Sequence, residues 1–190
     1  MQMSFREFVT AVHGMGFGAF FLLTFSGTLF ELRRLCGSGG APALGGGARR
    51  ILHVYLIALC VLGWCAVFSG AYLVYPWYRA HPPAGTTDLG EFAQRKLMSS
   101  PATAGWHNLG MEWKEHVAWF APIAITMVAF VMISYGNDLS RHRQVRKAVF
   151  GFAAAAFFAA GIAGFFGAMI NKSAPVQGGA PIVIPGGASE

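Results

Sequence analysis

Charge is scarce in this chain: Asp, Glu, Lys and Arg make up 12% of its 190 residues, against 55% hydrophobic residues, about half the charge of an ordinary soluble domain. A water-soluble globule is thereby excluded as the body of the protein. Cysteine is nearly absent as well. Cys36, Cys60 and Cys65 form no CxxC or CxxCH, which leaves no disulfide framework, iron–sulfur motif or covalent c-type haem. Cys60 and Cys65 read as small apolar fillers. The Gly-rich stretch 36–48, "CGSGGAPALGGGA", contains no GxxxxGK[ST], so it is a flexible connection and not a phosphate cradle. No Ser/His/Asp set and no cysteine nucleophile can be assembled. No nucleophilic or hydrolytic chemistry is therefore read from these residues.

Long apolar runs are what the sequence has in abundance. They cover about 8–30, 51–75, 117–135 and 148–170, and each meets the roughly 20 residues that crossing a bilayer requires. The expectation is an all-α integral membrane four-helix bundle over residues 1–172. A long loop at 76–112 and an extended tail at 173–190 complete it. The first run is too long for a signal peptide and is followed by arginines, so it is read as a retained span. Ser4 and Glu7 have the spacing of a capping box that starts it.

Lys and Arg placement sets the expected orientation. Arg33, Arg34, Arg49 and Arg50 crowd the loop after the first span, and Arg141, Arg143, Arg146 and Lys147 the loop after the third. The six remaining cations are dispersed among acidic residues. Both termini and the 76–112 loop are thus expected on the outer, periplasmic side of a cell inner membrane. The net charge of +6 is then a topology signal with some affinity for anionic lipid, and no soluble basic face exists for nucleic acid. Trp77, Tyr78, Trp106, Trp113 and Trp119 fit an aromatic belt at the outer interface. In the tail, "PIVIP" is apolar enough to lie as a strip on a partner.

Ionisable groups inside membranes are costly and point to function. His13 stands about five residues, or roughly 8 Å, below the outer end of the first span, and His116 begins the third at similar depth. At 100° per residue, His13 shares a face with Gly16, Phe17 and Phe20, and His116 with Phe120. Two histidines flanking a small residue and phenylalanines suit a flat macrocycle held between helices, with His13 and His116 as ligands to haem iron. Gly14 and Gly18 form a GxxxG, the spacing of close helix packing. His53 and His142, near the inner face, offer a second site or belong to the solvated basic cluster. His81, His107 and Glu112 offer an outer metal site, a quinol pocket or a surface network, and "HNLGMEWKEH" (107–116) matches neither HExxH nor a di-iron ExxH.

Four spans with interfacial histidines on the first and third resemble the small four-helix transmembrane b-type cytochromes, including cytochrome b561-like proteins and the cytochrome b anchors of respiratory complexes. The fourth span has no histidine, where many di-haem members of such families carry one. The resemblance implies a haem b subunit passing electrons between quinone and a partner redox protein such as a periplasmic cytochrome. Two other readings stand beside it. One is a non-catalytic accessory or assembly subunit of a respiratory or photosynthetic complex, and the other is a chlorophyll-binding subunit with His13 on magnesium.

Overall fold

The computed structural model describes residues 2–36 and 44–183; the remainder of the Gly-rich connection and the last residues of the tail, including part of "PIVIP", lie outside the described residues. Four long helices dominate, α1 (Phe5–Arg34), α2 (Gly46–Tyr78), α4 (Pro101–Arg141) and α5 (Arg143–Ser173), with a short α3 (Ala93–Met98) between the second and third. Each of the four is long and apolar enough to cross a membrane. By length and composition the chain has the build of a multi-pass membrane protein. Its lipid face is correspondingly greasy: Leu23, Phe30, Ile51, Phe130 and Phe158 all project outward, as the absence of water in the surrounding hydrocarbon permits.

Local sequence explains where the helices begin and end. Ser4 accepts from the Glu7 N–H at 3.2 Å while the Glu7 carboxylate accepts from the Ser4 N–H at 2.7 Å, so the capping box forms at α1. Ser100 accepts from the Ala102 N–H, and Pro101 occupies the first turn of α4, a position where its missing N–H costs nothing. Residues 101–111 are consequently helical and not part of a loop. Gly136 ends the regular part of α4 with φ of +52°, where a side chain would be strained.

Each long helix packs against its two sequence neighbours, and α5 closes the ring on α1. The centre is dry. Phe25, Leu56, Leu59, Ile125, Val128, Ala153 and Ala156 are wholly or almost wholly buried, and the Phe25 ring meets Phe21 and Phe157 at centroid distances of 5.3 and 5.7 Å. A second, smaller cluster closes the end that carries the termini. Tyr78, Ala93, Leu97, Met111, Ile170, Ala174 and Val176 bury one another there, so α3 and the start of the tail sit over the bundle as a cap.

The tail also returns to the N-terminus. Strand β1 (Gln2–Ser4) pairs antiparallel with β2 (Pro181–Val183), with Met3 opposite Ile182. Pro181–Val183 of the tail thus pairs along one edge with the chain's own N-terminal residues.

Candidate functional site

Regular α-helix gives way to wider π-helical turns in three of the four long helices, always toward the terminal end. The segments are Val12–Ala19 in α1, Gly70–Val74 in α2, and Trp106–Met111 and Trp113–Val117 in α4. Helix α5 is uninterrupted. Such turns cost hydrogen-bond geometry and are found mostly where a site needs a side chain re-aimed. Here they carry or adjoin His13, His107, Lys114 and His116.

His13 turns into the bundle. Its Nδ1 lies 2.9 Å from Ser69 Oγ, and that hydroxyl donates in turn to the Ala66 carbonyl at 3.2 Å. With the serine hydrogen so engaged, Nδ1–H is the donor to Ser69 and Nε2 remains free to accept a proton. The ring is seated against Gly70, where a Cβ would fall 2.7 Å from Cε1. No larger residue fits there without moving the imidazole.

The charged neighbour of His13 is Lys114, which reaches from α4 across the core. Its Nζ packs on α5 at Gly167, 2.7 Å from where a Cβ would stand. No carboxylate or other hydrogen-bond partner meets this ammonium among the described residues. Four helices thus build one polar point with His13, Ser69, Lys114 and the bare backbone of Gly167. Toward the basic end, Phe21, Phe25, Leu56, Leu59, Ile125 and Val128 fill most of the bundle, with the buried hydroxyl of Thr28 among them.

Toward the terminal end the network continues in paired groups. Arg79 directs Nη2 at both Glu115 oxygens, 3.2 and 3.5 Å away, and Nε donates to Tyr75 Oη at 2.8 Å. Partial burial works against its charge, but Tyr75 and Glu115 more than offset this and hold the guanidinium above its ordinary range. Tyr78, 1% exposed, places Oη 2.7 Å from His107 Nδ1, with Gln94 Nε2 3.4 Å from the other ring nitrogen. Tyr78→Phe should cost about 1–2 kcal/mol, because it strands the partner nitrogen under the cap. A thermal melt in detergent checks it, and an unchanged midpoint would mean that His107 finds water instead.

The other candidate residues stand in separate surroundings. His116 points away from the bundle: its side chain is 71% exposed and bonds only its own turn, with Nδ1 3.0 Å from the Glu112 carbonyl and 3.5 Å from the Glu112 carboxylate. His13 faces the interior. The two imidazoles do not flank a common space. Gly16 is exposed and the space for a Cβ on it meets only Val12 of the same helix; Phe20 is 57% exposed, Phe17 is half-buried, and Phe120 packs on the main core. The reason is local. Faces assigned at 100° per residue drift wherever bonding runs from i to i+5, and both histidines sit in such turns. His53 lines a cleft beside Arg49 and Arg50, whereas His142 stands edge-on to Tyr135 at 5.2 Å. His81 Nδ1 lies 3.0 Å from Arg95, and Glu112 remains with His116, so the set His81, His107 and Glu112 is dispersed. Among the described residues no three His, Cys, Asp or Glu side chains gather to hold a metal.

The tryptophans are likewise more than a belt. The Trp113 indole donates to the Ala159 carbonyl of α5 at 3.1 Å, and the Trp119 ring meets Phe68 at 6.0 Å. Sequence reasoning missed Lys114, Ser69 and Gly70. Lys114 lies just outside the third apolar run and so passes for an interfacial cation, while Ser69 and Gly70 are ordinary small residues until their partner is known. The chain matches no known family model, no curated protein and no solved structure.

Proposed function

We propose that this protein is a membrane subunit of an electron-transfer system, binding a quinone-type ligand at the polar point in the terminal half of its bundle and exchanging the ligand's protons. The electrons pass to a redox centre on a partner subunit. The unpaired ammonium of Lys114 carries this reading. A cation held at membrane depth without a counter-ion is expensive, and it repays that cost when it donates to an oxygen that gains negative charge, as a quinone carbonyl does on reduction. His13 Nε2 is the proton acceptor beside it. The apolar core beneath makes the exchange one-sided. With the basic loops on the cytoplasmic side of an inner membrane, that side is the periplasm. A haem ligated by both His13 and His116 is not part of this proposal, since the two rings face different surroundings.

The test is a titration of the purified protein in lipid nanodiscs with a short-chain quinone, read by quenching of tryptophan fluorescence. Saturable binding is expected for the wild type, weakened on the order of tenfold in Lys114→Met, which amounts to one charge-assisted hydrogen bond. A wild type that shows no saturable quenching, or a variant that binds equally well, overturns the reading.

A further inference from the structure

At the opposite end of the bundle, where the basic loops lie, a cleft of about 500 Å³ separates the start of α2 from the end of α4. One wall supplies Arg49, Arg50 and His53 and the other supplies Tyr135, Asn137 and Asp138. Neither guanidinium has an ion pair or hydrogen bond among the described residues, and both arginines are exposed. The one acid in the cleft is already engaged, with Asp138 3.4 Å from Arg141. The walls are held together by Asn137, whose side chain accepts from the Leu44 N–H at 3.3 Å and donates to the Leu44 carbonyl at 3.4 Å. That clamp fixes the first turn of α2, which has Gly45 as its cap residue and no side-chain cap. Gly46 of that turn lines the cleft, so the positive end of the helix dipole lies beside it.

The surface below the cleft is of another kind. Val54, Ile57 and Val61 project from α2 and are exposed; with Arg50 they follow the spacing i, i+4, i+7 and i+11, which is one helical face. Two guanidiniums without a partner among the described residues, and the start of a helix, therefore stand beside an apolar stripe. A small anion would use only the first of these features, whereas an amphiphile with a phosphate head uses both.

From this juxtaposition we infer that the cleft between α2 and α4 is a binding site for the phosphate of an anionic phospholipid, held by Arg49 and Arg50, with an acyl chain along Val54, Ile57 and Val61. The site lies at the other end of the bundle from Lys114 and does not depend on the quinone reading. Delipidated protein, titrated with phosphatidylglycerol or phosphatidylcholine and followed by native mass spectrometry, tests it. Phosphatidylglycerol is expected to be retained in preference, and R49Q/R50Q should reduce that preference on the order of tenfold, as the loss of two cations at an anionic headgroup implies. The control is R33Q/R143Q, which removes the same charge from exposed arginines that do not line the cleft; it should leave the preference intact. Three results would overturn the inference: equal retention of the two lipids, equal losses in the two double variants, or inorganic phosphate displacing the lipid at matched concentration. The last would make it a site for free phosphate. Unaltered thermal midpoints in both double variants would show that neither loss comes from unfolding.

Discussion

Lys114→Met is expected to make the unliganded protein more stable, by about 1–3 kcal/mol, because a charge without a partner among the described residues leaves a half-buried site while a side chain of similar length keeps the volume filled. The sign follows from what Lys114 does not touch. It has no carboxylate partner and no hydrogen bond among the described residues, so no group is orphaned when the ammonium goes. The usual penalty for breaking a buried pair is absent. The measurement is a thermal melt in detergent without added quinone, set beside the binding assay on the same preparation. A higher midpoint with weaker binding is the signature of a site kept at the expense of stability. A lower midpoint would show that Lys114 is structural, and the proposed function would lose its support.

Hydropathy was sufficient for the four helices, because the cost of an unsatisfied backbone in hydrocarbon leaves few alternatives for an apolar run of that length. It was insufficient for their ends. The third helix begins at Pro101, some sixteen residues before the apolar run, in a segment whose polar residues hide it from an average over hydrophobicity. The Ser100–Pro101 pair marks that start to anyone who weighs caps above composition.

The faces were harder still. A π-turn is decided by the packing around it and by the side chains it re-aims, so a periodicity of 3.6 gives no warning that His13 turns inward while His116 is exposed. The structure also moves the answer to why glycine accompanies His13. Room for the ring comes from Gly70 on the neighbouring helix, 57 residues away, and Gly16 on the same helix faces outward. Only tertiary contact could reveal that partnership, since a glycine in one span gives no sign of which ring it admits.

Gly70→Ala should accordingly be the most damaging single-methyl change at the site. The new Cβ would stand 2.7 Å from His13 Cε1 and 3.2 Å from Nε2, nearer than carbon atoms tolerate. Ser69, the preceding residue of the same helix, holds the ring through Nδ1, so moving the ring away from the new methyl strains that hydrogen bond. We expect a loss of about 1–3 kcal/mol from overpacking, accompanied by loss of quinone binding. Gly16→Ala is its counterpart: the nearest atom is Val12 Cγ1 at 3.6 Å, ordinary contact, and the gain in helix propensity should stabilise by about 0.5–1 kcal/mol. Overpacking and a merely intolerant helix are separated by a double-mutant cycle with His13→Ala. Removing the imidazole vacates the space that the methyl needs, so Gly70→Ala should cost at least about 1 kcal/mol less in that background than in the wild type, as expected for residues in direct contact. Equal costs in the two backgrounds would mean that the ring does not rest on Gly70, and the bundle would then have no seat for His13 beside Lys114.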